Sequence, residues 1–193
     1  MVSVMAYIYY ALVAVAYSGD FDDTVLARHT CLVWYLLMLS LLLTATYIAH
    51  AVYVSDGIPE SVSAHVYRHD MSRRWYYTAW MWVLSLTFAP ALFLLTPYEL
   101  DFAPHVLVTS LLLTSVLPLI ERDGHGWHRA STVLSAATCT ACVYIVCKEW
   151  LILWMPAVAT SMYFNSRVPF IVQVTCVASL LGSLITRMLF LLP

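Results

Sequence analysis

HVYRHDMSRRWYYTAWMWVLSLTFAPALFLLTP, residues His65 to Pro97, is the stretch that decides the fold. Its first ten residues are the most charged part of the chain, and from Trp75 onward it is an apolar run. At about 1.5 Å rise per helical residue, that run has the length that a bilayer core of about 30 Å demands. Arg73, Arg74, Trp75, Tyr76 and Tyr77 stand at the junction. Guanidinium groups seek lipid headgroups, and aromatic rings with a polar tip settle at the water–lipid boundary. The stretch therefore sets a depth in a membrane and, through its arginines, an orientation.

The whole chain agrees. Of its 193 residues, 62% are hydrophobic and 10% charged, with a mean hydropathy of +0.81. Soluble domains carry about 25% charged residues. A chain this poor in charge cannot cover a surface facing water, so the bilayer is its main solvent. The expected fold is an all-α integral membrane protein, residues 1–193 forming one polytopic bundle with short loops. No stretch is left over for a soluble domain. A net charge of −2 without a basic cluster argues against nucleic acid as a partner.

Six spans are expected: 4–17, 31–54, 75–97, 104–120, 131–155 and 169–192. The first resembles a signal-peptide core ending in Ala14-Val15-Ala16, but no Lys or Arg precedes it, and it is read as a retained span. Pro90 should kink the third span, with neighbours satisfying the carbonyl it frees. Lys148 and Glu149 interrupt the fifth. If the chain turns there, residues 150–164 form a further short segment and the count becomes seven.

With six spans, one side carries Arg68, Arg73, Arg74, Arg122, Arg129 and, near the C-terminus, Arg187, and the other carries Arg28, Lys148 and Arg167. The positive-inside rule then places both termini on the cytoplasmic or matrix side. The expected setting is an organelle inner membrane of the mitochondrial type. Arg73, Arg74, Trp75, Tyr76, Trp127 and Arg129 are the expected anchors at the lipid interface.

Histidine placement is the pattern with most chemical content. His65 and His69 lie four apart, His125 and His128 three apart, and both pairs fall in loops on one side. Such spacing is how helices present imidazoles to a metal. An iron or zinc site at the membrane surface, near Asp70, Glu121 and Asp123, is therefore one reading. The simpler one is interfacial histidine, hydrogen-bonded to headgroups or to those carboxylates. HxxxH occurs once, HxxHH not at all, and Gly124 and Gly126 flank His125. No cofactor beyond such a metal is expected.

Lys148, Glu149 and Arg187 are the ionisable groups closest to hydrocarbon. Neighbours on a helix point about 100° apart, so Lys148 and Glu149 do not face each other, and both are read as interfacial. Arg187 can snorkel to the headgroups. The five cysteines fall in apolar segments and are read as packing residues. GxSxG, Walker A, HExxH and dinucleotide-binding fingerprints are absent, and no catalytic residue is assigned.

Trp80 and Trp82 lie five and seven residues beyond Trp75. At that depth an indole N–H needs a partner that lipid tails do not offer. The two rings stand about 200° apart on a helix and cannot both face a small interior. At least one is expected to contact another subunit or a structural lipid headgroup.

Three function classes follow. The first, and the one expected, is a non-catalytic multi-span subunit with a structural or assembly role in a larger membrane complex, of the respiratory or ATP synthase type, with other membrane subunits and lipid as partners. The second is a small transporter or channel, which needs a polar path. The third is the surface metal enzyme. Scarce charge within the spans favours the first over the second, and the incomplete histidine set favours it over the third.

Overall fold

The computed structural model describes residues 23–61, 66, 74–120, 126–163 and 168–190, and they form helices and no strand. In order these are α1 (Asp23–Val54), α2 (Trp75–Leu95), α3 (Phe102–Ile120), α4 (Gly126–Cys147), α5 (Trp154–Tyr163) and α6 (Val168–Leu189). Short 3-10 turns occupy Tyr98–Leu100 and Lys148–Leu153.

Five stretches are long and apolar enough to cross a membrane: Thr30–Val54, Trp75–Leu95, Phe102–Ile120, Gly126–Ser161 and Val168–Leu189. The expected count of six or seven is therefore not matched among the described residues. Five of the expected spans coincide with these stretches, and the sixth, 4–17, lies outside the described residues.

The helix α2 is the centre. Its residues Leu84, Ser85 and Thr87–Phe93 are all buried, and it runs through Pro90 to Leu95. The helix α1 leans on it along a narrow seam. Leu37, Ser40, Thr44, Tyr47 and Ala51 are buried, at alternating steps of three and four. That period is the one that keeps a stripe facing a neighbouring helix. Tyr47 lies 6.1 Å from Tyr77 and 5.5 Å from Trp80 by ring centroids. All five long helices feed one core, with Leu37, Phe88, Leu92, Leu107, Val143 and Leu184 at its middle.

Hydrogen bonds between helices fix their directions. Trp80 Nε1 donates to Leu43 O at 3.2 Å, and Thr78 Oγ1 to Ser115 O at 2.7 Å, so α2 runs antiparallel to α1 and to α3. The hydroxyls of Thr114 and Ser135 meet at 3.3 Å across the antiparallel pair α3–α4. The helices α4 and α6 differ. Cys139 Sγ donates to Cys176 O at 3.3 Å, and Arg187 Nε to Val146 O at 2.6 Å. Contacts advance together along both chains, so α4 and α6 are parallel. Phe170 N donates to Glu60 O at 3.1 Å, which puts the start of α6 at the end of the bundle where α1 finishes.

The chain between them must therefore travel back. Cys147 breaks α4, with φ −160° and ψ 86°. Residues 148–163 then cover roughly 27 Å, at about 2.0 Å per 3-10 residue and about 1.5 Å per α residue. This corrects the six-span expectation on one point. The end of α6, with Arg187, lies at the opposite end of the bundle from Arg74 and Arg129. Arg167 lies outside the described residues.

The return segment is locked by Trp150. Its Nε1 donates to Thr186 Oγ1 at 2.9 Å, and its ring lies over Gly182. A Cβ at Gly182 would stand 2.5 Å from the indole. Only a residue without a side chain admits that approach.

Gly182→Ala should force Trp150 off α6 and cost about 1–3 kcal/mol, the usual range for overpacking. Thermal unfolding in detergent, read by tryptophan fluorescence, measures it. The direction of α6 has its own check. On a Cys31→Ser background, cysteines introduced singly at Ser61 and Phe190 should label from opposite faces of a sealed vesicle. Labelling from one face would restore the six-span arrangement.

Candidate functional site: a proline-opened turn beside a central cavity

Pro118 sits in α3 and is buried. Proline has no N–H, so the carbonyl four residues back, that of Thr114, loses its helical donor. His128 supplies one. Its Nδ1 lies 3.1 Å from Thr114 O, and its ring is 5% exposed. A carbonyl only accepts, so the proton is on Nδ1. The Tyr77 ring packs edge-on against the imidazole at 6.4 Å. Two further carbonyls of the same region take side-chain donors from α2. Thr78 Oγ1 donates to Ser115 O at 2.7 Å, and Arg74 Nη1 to Pro118 O at 3.1 Å. Three helices thus close on one opened turn.

The hydroxyls continue the contact inward. Ser135 Oγ lies 3.0 Å from Ser110 Oγ and 3.3 Å from Thr114 Oγ1. The two helices approach through Ser and Thr, the small residues that the sequence offers in place of a GxxxG motif.

Beside this region is a cavity of about 110 Å³. All five long helices line it, through residues that include Thr44, Tyr77, Leu107, Ser135 and Gln173. The wall is almost wholly apolar, and among the described residues no Asp, Glu, Lys, Arg or His lines it.

The sequence-predicted site residues fall into three groups. His65, His69, Arg73 and His125 lie outside the described residues. Among the described residues, no group of three or more His, Cys, Asp or Glu is placed to hold a metal ion. His128, the one described member of the proposed ligand set, serves Thr114 O.

Of the expected interface anchors, Arg74, Trp75, Tyr76, Trp127 and Arg129 are described. Trp75 and Tyr76 are exposed and stack on each other at 4.0 Å. Trp127 and Arg129 are exposed at the start of α4, at the same end of the bundle. At the other end Lys148 and Glu149 are exposed, and Cys147 Sγ donates to Glu149 Oε2 at 3.1 Å. Arg187 is exposed there too, reaching back to Val146 O.

Trp80 and Trp82 find acceptors for their indole N–H groups within the chain. Trp80 Nε1 donates to Leu43 O, and Trp82 Nε1 to Ser115 Oγ at 2.9 Å. The helix has neighbours on both flanks, α1 and α3, so two indoles on different faces are both served inside the chain. Hydrogen bonding therefore gives neither a reason to seek an outside partner. Instead, Trp34 Nε1, Trp154 Nε1 and the Thr44 hydroxyl are buried without a partner.

Pro118, Thr114, Thr44 and Gln173 were not singled out in the sequence. Pro118 had a readable signal: a proline inside an apolar run, with an imidazole at the start of the next one.

A double-mutant cycle tests the opened turn. His128→Phe should leave Thr114 O buried and unpaired, at a cost of about 1–3 kcal/mol. Pro118→Ala restores a backbone N–H to that carbonyl. In the double mutant the loss should therefore shrink by at least half, a coupling visible in thermal unfolding. Strict additivity would show that His128 acts elsewhere.

No family model, no curated protein and no solved structure matches this chain.

Proposed function

We propose that this chain is a non-catalytic multi-span subunit with a structural or assembly role in a larger membrane complex, in an energy-transducing membrane such as the mitochondrial inner membrane. The observation that carries the non-catalytic part is where the polar chemistry goes. Arg74, His128 and Arg187 each hydrogen-bond a backbone carbonyl of another helix, and among the described residues no charged residue and no histidine lines the central cavity. Histidine and carboxylates are the commonest acid–base groups, and charged residues mark most ion paths through a membrane.

The assembly part rests on α1. Only 17% of its apolar window is buried, against 50% for α2. Tyr35, Leu39 and Leu42 form one outward face at steps of four and three, and Tyr35 is 75% exposed. A helix held by one seam presents the rest of its surface to lipid or to a neighbouring subunit, and a tyrosine ring at that position suits a protein contact. In this reading the 148–163 segment counts as a crossing. That adds one crossing to the five apolar stretches, and the expected span 4–17 lies outside the described residues.

The orientation follows. The end of the bundle with Arg74 and Arg129 faces the cytoplasm or matrix in this reading, and the end with Lys148 and Arg187 faces the other way. In sequence, Arg68, Arg73, Arg122 and Arg167 fall between helices that adjoin at the first end, the bias that the positive-inside rule reads.

Native-gel migration after mild detergent extraction tests the proposal. Wild type should run in an assembly well above 21.8 kDa plus detergent. Tyr35→Ala with Leu42→Ala should release it while leaving it inserted and folded. A wild type that runs as a detergent-bound monomer would overturn the assembly reading.

A further inference from the structure

The fold brings two thiols together from different helices. Cys139 on α4 and Cys176 on α6 are 5% and 6% exposed. Cys139 Sγ donates to Cys176 O at 3.3 Å, and Cys176 Sγ lies 4.0 Å from Ala136 O, back on α4. The two thiol groups are also in hydrogen-bonding contact with each other. Ala136 and both cysteines are small, which lets the parallel helices approach this closely. A disulfide spans Cα atoms about 4.4–6.8 Å apart. With each thiol already against the other helix's backbone, side-chain rotation brings the sulfurs into that bond.

The depth of the pair selects the chemistry. Cys139 lies eleven residues beyond His128 and seven before Val146, so it stands well inside the hydrocarbon thickness. A lone thiol buried in apolar surroundings is inert, because the thiolate is disfavoured there. A disulfide carries no charge, so the same surroundings do not oppose the oxidised product. Here the second thiol stands ready beside the first. We infer that Cys139 and Cys176 form a redox-sensitive clasp between α4 and α6, closed by lipid hydroperoxides arising in the same hydrocarbon layer. One sulfur attacks the terminal peroxide oxygen. The O–O bond breaks, a sulfenic acid forms, and the lipid alcohol leaves with the thiol's proton. The second sulfur then attacks the first. The S–O bond breaks, and the second thiol's proton leaves with the hydroxyl as water. Two thiols and one hydroperoxide thus give one disulfide, one alcohol and one water. In the reduced protein weak thiol–carbonyl contacts join the helices at this level. The closed clasp replaces them with a covalent bond and fixes one wall of the central cavity, which both cysteines line.

The probe is cumene hydroperoxide, added to the full chain in phosphatidylcholine nanodiscs. Free thiols are alkylated before unfolding, and peptides are mapped without reduction. The Cys139 and Cys176 peptides should be recovered linked, in a protein lighter by two hydrogens. The thermal unfolding midpoint should shift upward, and tris(2-carboxyethyl)phosphine should reverse both changes. Cys139→Ser and Cys176→Ser should each abolish the link and the shift. Cys142→Ala, three residues along the same helix, should keep both. If a serine variant does not fold, the wild-type link map and Cys142→Ala decide. A Cys139–Cys142 link would overturn the inference. So would oxidation confined to the exposed Cys31, or no link under excess hydroperoxide.

Discussion

A carbonyl inside a bilayer finds no water, and Pro118 creates one at Thr114 that its own helix cannot satisfy. The answer comes from the next helix, through His128 at 3.1 Å. That bond ties α4 to α3 at a fixed register, because the donor must meet one particular oxygen. Thr78 and Arg74 tie α2 to the same stretch through Ser115 O and Pro118 O. Packing of apolar faces alone would leave the helices free to slide, since lipid tails are as apolar as leucine. The opened turn removes that freedom for three helices together.

The individual polar contacts are modest. Interhelical hydrogen bonds in membranes average about 0.6 kcal/mol. Their role in α2, α3 and α4 is specification, and the close fit of the core cluster supplies the bulk of the attraction. The hydroxyls of Ser110, Thr114 and Ser135 allow close approach while keeping each other paired. Gly182 does the equivalent at the α5 side, where the Trp150 indole lies over bare backbone. Small residues are used where a helix or a ring must come near, and aromatics fill the remainder.

The apolar runs were legible in the sequence because length and hydropathy are local properties. Trp75–Leu95 and Phe102–Ile120 fall within a few residues of their expected bounds. The direction of α6 was not legible in the same way. It depends on a backbone break at Cys147, and no hydropathy window separates a long span from one that turns and returns. Lys148 and Glu149 were the local hint, and the turn does lie there. The acceptors of Trp80 and Trp82 were hidden for another reason. Sequence gives the angle between them, but it does not show that α2 has a helix on each side. His128 likewise drew attention through its spacing from His125, whereas its described partner is Thr114 O, a carbonyl freed by a proline ten residues before it.

The two arginine–carbonyl bonds mark a thickness. Arg74 caps the end of α3 through Pro118 O, and Arg187 caps the end of α4 through Val146 O. From His128, level with the opened turn, to Val146 is eighteen residues of helix, roughly 27 Å at helical rise. A bilayer core is about 30 Å. A helix end buried in hydrocarbon leaves carbonyls unsatisfied, and a guanidinium can meet one of them while its other donors reach toward headgroups. Placing one arginine at each end lets α3 and α4 finish near the boundary without water having to enter. Trp75 and Tyr76 stack just outside the first boundary, and Lys148 and Glu149 stand exposed at the second. The positions where the helices stop and the positions where the charges sit therefore share one cause, the depth at which a bare carbonyl becomes affordable.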